Sequence, residues 1–486
     1  MRRQRLRCSI LSFPSRVGPT PAFGQAIIVM NIRFPVAFIA AASVASISTA
    51  AVAPPQSVPD RFDLPTAISF ALENNFSIRQ ARERIRAQEG VVTTLTAAAL
   101  PSLSAAGSYQ RSNVQSIIPG SSGVPLFVPA GPSWRMTLTA SQTLFAGGGI
   151  RASIRSADLT REAAILDLQA TINDTLLEVR TRFYNILLAR EQVNVQEQNL
   201  DLLQNQLHYA TVQAQVGTTS DFERLRAEVA VANAKVPLIR ARNDLRLAIE
   251  EVRRVLGLTD RESETLRKVP EFDGSLEFLP ETFDLEAAFS AAQENRPEIK
   301  RLAKLIAAGE EGVTVARSRY YPTLGLSAGG ELRKGATSSF GDSLKGLRGG
   351  VQSQLQISRS TSGAVAQAIS QAEQLKLTAS ETKLAIEVEV RRAFSALQQA
   401  AELAGAMQKA VGQAEEAVRL ATARFEAGTA TQLDVLQAQV ELTNARTSQL
   451  RANHGYNVAL AQLRRATGAS GIEYAAATVS TKSPSP

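Results

Sequence analysis

The feature that most limits how this chain can fold is an internal duplication. Residues Asp63–Asn75 (DLPTAISFALENN) recur as Asp284–Arg296 (DLEAAFSAAQENR) at a displacement of 221, which pairs Asp63 with Asp284, Leu64 with Leu285 and Asn74 with Asn295. The same displacement carries Leu100-Pro101 onto Tyr321-Pro322. A second block, displaced by 211, pairs Gly217 with Gly428, Thr218 with Thr429, Leu225 with Leu436, Arg254 with Arg465 and Gly257 with Gly468. The second copy is therefore ten residues shorter between Pro322 and Gly428. A repeat this long predicts one body built of two similar halves. The first repeat is read as residues 54–270, the second as 271–470, and 471–486 as a flexible tail.

Each half reads as helix, strand hairpin, long helix, return helix. From about residue 151 to 215 there is neither proline nor glycine, and Leu168, Ile172, Leu176, Val179, Phe183 and Ile186 recur at steps of three or four. That is an amphipathic helix with a near-heptad stripe. At about 1.5 Å per residue it extends on the order of 100 Å, far beyond a globular helix. The second copy repeats the pattern over about 364–426. Return helices are expected over about 221–256 and 432–466, and approach helices over 64–100 and 285–321. Gly217 and Gly428 suit a left-handed helix cap. Ser220 with Glu223, and Thr431 with Asp434, have capping-box spacing, Asp being the poorer fit at that position.

After each proline the period changes to two. Trp134, Met136, Leu138 and Ala140 alternate with Arg135, Thr137, Thr139 and Ser141, while Val351, Ser353, Leu355 and Ile357 alternate with Gln352, Gln354 and Gln356. Partner strands are expected at 102–111 and 323–332, giving hairpins over about 102–145 and 323–358. About ten residues of such alternation suit a membrane barrel, with Trp134, Met136, Leu138, Val351, Leu355 and Ile357 toward lipid. Four strands are too few to enclose a pore and lipid tolerates no open sheet edge, so several copies must share one barrel. The hairpin loops, 112–132 and 333–346, are Ser/Gly/Pro-rich and read as exposed loops or a lid over the mouth.

The N-terminus has export features. After Met30, Arg33 precedes an apolar run from Phe34 to Ser48 and small residues at Ala51-Val52-Ala53 or Ser48-Thr49-Ala50, so 30–53 reads as a signal peptide and 1–29 as an upstream extension or a long n-region of the same signal. Six of the 53 basic residues lie in the first 53 positions without a single acid, which leaves the rest near balance with the 45 acidic residues. No general attraction to nucleic acid follows. The one cysteine, Cys8, falls in the leader, and His208 and His454 are the two histidines, both expected on helix surfaces. Neither a Cys/His metal site nor a disulfide is available. Gly147-Gly148-Gly149 joins a strand to a helix without a nucleotide fingerprint, no nucleophile motif is present, and neither an enzyme nor a cofactor is expected.

The repeat, the leader and the segment Phe425-Glu-Ala-Gly428-Thr429-Ala-Thr-Gln-Leu433-Asp434-Val435-Leu436-Gln437-Ala438 resemble the TolC-type outer-membrane efflux family over about residues 60–470. The resemblance implies a mostly α protein with β, the tandem-repeat protomer of a trimeric 12-stranded outer-membrane β-barrel continued by a long periplasmic α-helical barrel. It implies a homotrimer in outer-membrane lipid, a passive exit duct of a tripartite efflux pump or type I secretion system that docks on a periplasmic adaptor and an inner-membrane pump. Glu223 and Asp434 would line the periplasmic aperture, although they also serve as ordinary first-turn acids favoured by the helix dipole. Gln437 stands where the best-known member of that family has a further acid, Phe425 where the family has tyrosine and Ala430 where it has arginine, departures that weaken the implied polar latch and imply a less cation-selective tip. Gly217, Thr218, Gly428 and Thr429 would be the adaptor-docking turns. The competing reading is a trimeric helical stalk or adhesin, which has no use for two strand hairpins per chain. Cargo is not legible, because a duct has no tight substrate site.

Overall fold

The computed structural model describes residues 59–112, 116–119, 125–128, 131–217, 220–258, 270–334 and 344–468. The expected leader, Thr218, the C-terminal tail and parts of both hairpin loops lie outside the described residues. Repeat 1 contains β1 (Arg61–Phe62), α1 (Leu64–Asn74), α2 (Phe76–Ala97), β2 (Ser102–Ser112), β3 (Ser116–Pro119), β4 (Pro125–Val128), β5 (Gly131–Ala146), α3 (Gly149–Val216) and α4 (Asp221–Leu256). Repeat 2 contains β6 (Glu271–Phe272), α5 (Leu285–Asn295), α6 (Pro297–Ser318), β7 (Thr323–Lys334), β8 (Leu344–Gln354), α7 (Arg359–Glu426) and α8 (Gln432–Ala466).

The two long helices have 68 residues each, on the order of 100 Å at about 1.5 Å per residue. Their partners change along their length. Toward the sheet, α3 meets α6 through Arg155 and Glu311 at 2.7 Å and Lys304 and Glu162 at 2.6 Å, and meets α2 through Arg84 and Asp167 at 3.2 Å. Toward the opposite end it packs on α4 and α8, where Thr443 Oγ1 donates to Asn199 Oδ1 at 3.2 Å and Leu436 rests against Leu203, Val231 and Ala234. The wall thus runs α2-α3-α6-α7 in one half and α4-α3-α8-α7 in the other.

A four-stranded antiparallel sheet continues the first of these halves, in the order β2-β5-β7-β8. Each strand follows or precedes the helix at the same place in the wall. Small β3 and β4 pair with each other inside the stretch expected to be a plain loop.

The approach helices depart from expectation: each is two helices broken at one residue. Asn75 stops α1 and turns its Oδ1 to the N–H groups of Ser77 and Ile78, opening α2. In repeat 2 the break falls at Arg296, because Pro297 lacks an N–H and disfavours helical backbone in the residue before it. The breaks are where the cores gather. Phe62, Phe70, Phe183, Ile186, Leu256 and Phe272 form one core, and Ile386, Val390, Leu397, Tyr456, Leu460 and Leu463 the other. β1 and β6, also unforeseen, pair in parallel and stack Phe62 on Phe272 at 5.9 Å, joining the starts of the repeats.

The break is fastened identically in both repeats by different residues. Asn75 Nδ2 donates to Val255 O at 2.7 Å, and Arg296 Nε donates to Ala466 O at 2.9 Å. Arg254 reaches Glu178, while at the matching positions Arg465 reaches Glu389. Arg296 is almost fully buried and is held by Glu298 as well as Glu389, so its charge is matched inside the core.

Candidate functional site

Two regions carry the residues singled out from sequence: the helical tip and the sheet. At the tip, Gly428 adopts φ +73°. Its N–H bonds Phe425 O at 2.9 Å and the Thr429 N–H bonds Arg424 O at 2.8 Å, the two bonds of a Schellman cap. Gly217 also has positive φ, +78°, and ends α3. A Cβ on Gly428 would meet nothing within 4 Å, so backbone conformation rather than space demands glycine.

The two expected capping boxes part company. Thr431 forms a complete one: its N–H donates to Asp434 Oδ2 at 2.7 Å, its hydroxyl to the same oxygen at 2.8 Å, and Asp434 N–H returns to Thr431 Oγ1 at 3.3 Å. The short Asp side chain succeeds because the hydroxyl supplies it a second donor. Ser220, by contrast, makes no side-chain capping bond, and Glu223 Oε2 is shut from water without a hydrogen-bond partner. Ser220 and Glu223 therefore form no capping box, contrary to their spacing. Bonds from the Thr431 backbone and hydroxyl hold the Asp434 carboxyl below the usual carboxylate range.

Asp434 and Gln437 are exposed on α8, whereas Phe425 is half-buried in a groove of its own chain with Tyr209, Gln213, Val435 and Gln439. Within one protomer the tip residues therefore do not converge on a single pocket. His208 is exposed as expected, but His454 is half-buried, its Nε2 donates to Asn185 Oδ1 of α3 at 2.7 Å, and its pKa is pushed down by burial. It ties the repeats together rather than facing water.

In the sheet, register assigns the faces. Trp134 lies opposite Tyr109, Met136 opposite Leu332, Leu138 opposite Ala105, and Ala140 opposite Leu103. Leu326 pairs with Val351. These side chains share one apolar face, and Leu103, Met136, Leu138 and Val351 are exposed on it within the single chain. The aromatic pair Trp134 and Tyr109 marks the end of the band remote from the helices, where barrels place aromatic girdles. Leu355 and Ile357 are the exceptions. β8 ends at Gln354, so both lie beyond the strand in the segment leading to α7, and the alternation there continued without a partner strand to pair with.

The fold is thus that of a channel wall: a two-faced sheet continued by helices too long to serve a single globule. Matching against family models finds the outer membrane efflux protein family over residues 67–258 and 288–469, once on each repeat. The chain belongs to that family, and is an outer-membrane efflux channel that extends into the periplasm. It is 28% identical to the protein CyaE of Bordetella pertussis over 280 residues, a match covering 57% of this chain and 56% of that protein. It is 25% identical to the cobalt-zinc-cadmium resistance protein CzcC of Cupriavidus metallidurans over 388 residues, covering 80% and 85%. Among solved structures, the CmeC outer membrane channel of Campylobacter jejuni superposes with a TM-score of 0.70 at 18% identity, covering 86% of this chain and 88% of that one. The family match decides against the stalk or adhesin reading.

Proposed function

We propose that three copies close their four-stranded sheets into one 12-stranded outer-membrane barrel, continued by a periplasmic helical barrel, and that this is the exit duct of a tripartite efflux pump or type I secretion system. The observation that carries the reading is the shared order of strands and helices in one wall, with the outer edges of β2 and β8 unpaired among the described residues. An unpaired edge in lipid is costly at each group, and closure through further copies removes it. Transport is passive, of small molecules or polypeptides. The periplasmic partner is an adaptor protein seated on the turns at Gly217-Thr218 and Gly428-Thr429, which connects the duct to an inner-membrane pump. Glu223, Asp434, Gln437 and Phe425 lie at that end and form the aperture once the copies are assembled. CzcC is named for resistance to cobalt, zinc and cadmium and CmeC for an outer membrane channel, names that fit export without fixing this chain's cargo.

Cross-linking of detergent-purified protein, followed by single-channel recording in planar lipid bilayers, tests the reading. A three-chain species with discrete conductance steps is expected. A stable monomer that conducts, or a trimer that does not, overturns it.

A further inference from the structure

The sheet register also defines the face opposite the apolar one. Arg135 and Thr137 of β5, Glu331 and Arg333 of β7, and Arg348 of β8 stand on it among serines, threonines, glutamines and glycines. Among the described residues its charged groups are three arginines and one carboxylate. The way that carboxylate is used is informative. Glu331, on an inner strand, is held between two guanidiniums: Arg135 Nε lies 3.1 Å from Oε1 and Arg348 Nη2 lies 3.2 Å from Oε2. The Glu331 side chain is only 15% exposed, against 58% for Arg135 and 79% for Arg348. The anion is tucked beneath and the cations stand outward, each with donors left over. Glu331 therefore lies in ion-pair range of both arginines and neutralises the charge of one, its Oε1 meeting Arg135 without a hydrogen bond.

The wall around them is bare. Gly329, Gly330, Gly349 and Gly350 floor a hollow beside Glu331 and Arg348, edged by Thr137 and Thr139. A Cβ on Gly329 would fall 2.7 Å from Leu138 O, so the strand pairing itself forbids a side chain there. Among the described residues no side chain but Glu331 is paired with these two guanidiniums, and an exposed guanidinium offers paired N–H donors of the kind that take two carboxylate or phosphate oxygens.

We propose that Arg135 and Arg348, held by Glu331 and joined by Arg333, form an anion-binding band on the inner face of the barrel that favours anionic solutes bearing carboxylate or phosphate groups. This rests on the barrel reading above, in which the polar face lines the bore and the band is repeated in each copy around it. A ring of one sign in a narrow aqueous passage concentrates counter-ions and sets permeability. It acts independently of the acidic tip, because long helices separate the two by far more than the screening length of about 8 Å at physiological ionic strength.

The test uses purified trimers in planar bilayers under a potassium chloride gradient, with inorganic tripolyphosphate added from the barrel side. Neutralising the pair with Arg135→Gln and Arg348→Gln is expected to raise the potassium-to-chloride permeability ratio at least about 2-fold and to weaken tripolyphosphate block about 10-fold. The Arg135→Lys, Arg348→Lys pair keeps the charge and should hold the permeability ratio while weakening block, since ammonium lacks the planar fork. Semi-native gels verify that each variant is trimeric, and if the double glutamine variant does not assemble, Arg348→Gln alone, at the more exposed arginine, gives the same readings. Failure of the wild type to conduct as a trimer would overturn the barrel reading. Conducting trimers whose reversal potential and tripolyphosphate block are the same with and without these arginines would overturn the anion band and leave the barrel standing.

Discussion

Two glycines with nearly the same backbone conformation and opposite surroundings offer an internally controlled experiment. Gly257 (φ +76°) ends α4 at the break between α1 and α2, and Gly428 (φ +73°) ends α7 at the free tip. A Cβ on Gly257 would lie 2.5 Å from Asn74 O and 3.0 Å from Asn74 C, both backbone atoms, whereas one on Gly428 meets nothing. Alanine at Gly428 carries only the left-handed conformational penalty, about 1 kcal/mol. Alanine at Gly257 carries that penalty and must also force the α1 end off the α4 cap, an overlap worth roughly 2 kcal/mol more. For a folding unit near the size of one repeat, that difference corresponds to about 4–8 °C in the unfolding midpoint. Trimers of Gly257→Ala and Gly428→Ala, melted at one scan rate and followed by helical circular dichroism, should rank with Gly257→Ala clearly lower. Gly468, whose Cβ would lie 3.0 Å from Asn295 C, should behave like Gly257. Equal midpoints for Gly257→Ala and Gly428→Ala would refute the idea that the α4 cap is wedged against the helix break.

Three further outcomes are expected. Arg296→Met removes the cation matched to Glu298 and Glu389 and the donor to Ala466 O, and should destabilise by about 2–4 kcal/mol, discounted because Glu389 is partly solvated; Arg296→Asn, which copies the Asn75 solution, should recover part of the loss in the same melting assay. The lowered pKa of Asp434 means that its contribution to the Thr431 cap is present above the usual carboxylate range and is lost as pH falls through the depressed folded value, so the hydrogen-exchange protection factors at the start of α8, corrected for the intrinsic rate at each pH, should fall on acidification, and Asp434→Asn should abolish that dependence. Gly428→Val and Gly217→Val should leave trimer formation and membrane insertion intact but stop export with the cognate pump, a result read by cargo efflux from cells; normal efflux would remove these turns as docking points.

Periodicity made the long helices, the return helices and most of both hairpins legible, because an uninterrupted stripe or alternation is a local property of the chain. What escaped notice depended on contacts distant in sequence. Asn75 interrupts a helical pattern without proline or glycine at that point, and its reason for doing so is the carbonyl of Val255, far along the chain. β1 and β6 are two residues each, too short to have a period, and exist because Phe62 and Phe272 stack. Leu355 and Ile357 erred in the other direction, since alternation reports a preference and a ladder needs a neighbour. At the tip, spacing marked both capping pairs but could not say that Asp434 would close its box and Glu223 would not. The arginines on Glu331 were visible as single letters, while their grouping depends on the register of three strands.

The sheet's two free edges belong to different repeats, β2 to the first and β8 to the second, and adjacent strands run oppositely throughout. In the proposed barrel a neighbour would therefore continue the ladder only by laying its β2 against β8, head to tail, with its helices on the same side of the membrane and its apolar face outward. Pairing like edge with like edge through a two-fold axis would turn one copy upside down or inside out. Growth of the proposed ring would thus be directional, and every incomplete ring would carry one edge of each kind. A chain whose β8 edge alone were blocked could still join through β2, and would then cap the growing end so that the circle could not shut. Defects at this edge would be dominant over a healthy copy, whereas defects confined to a chain that never folds would not.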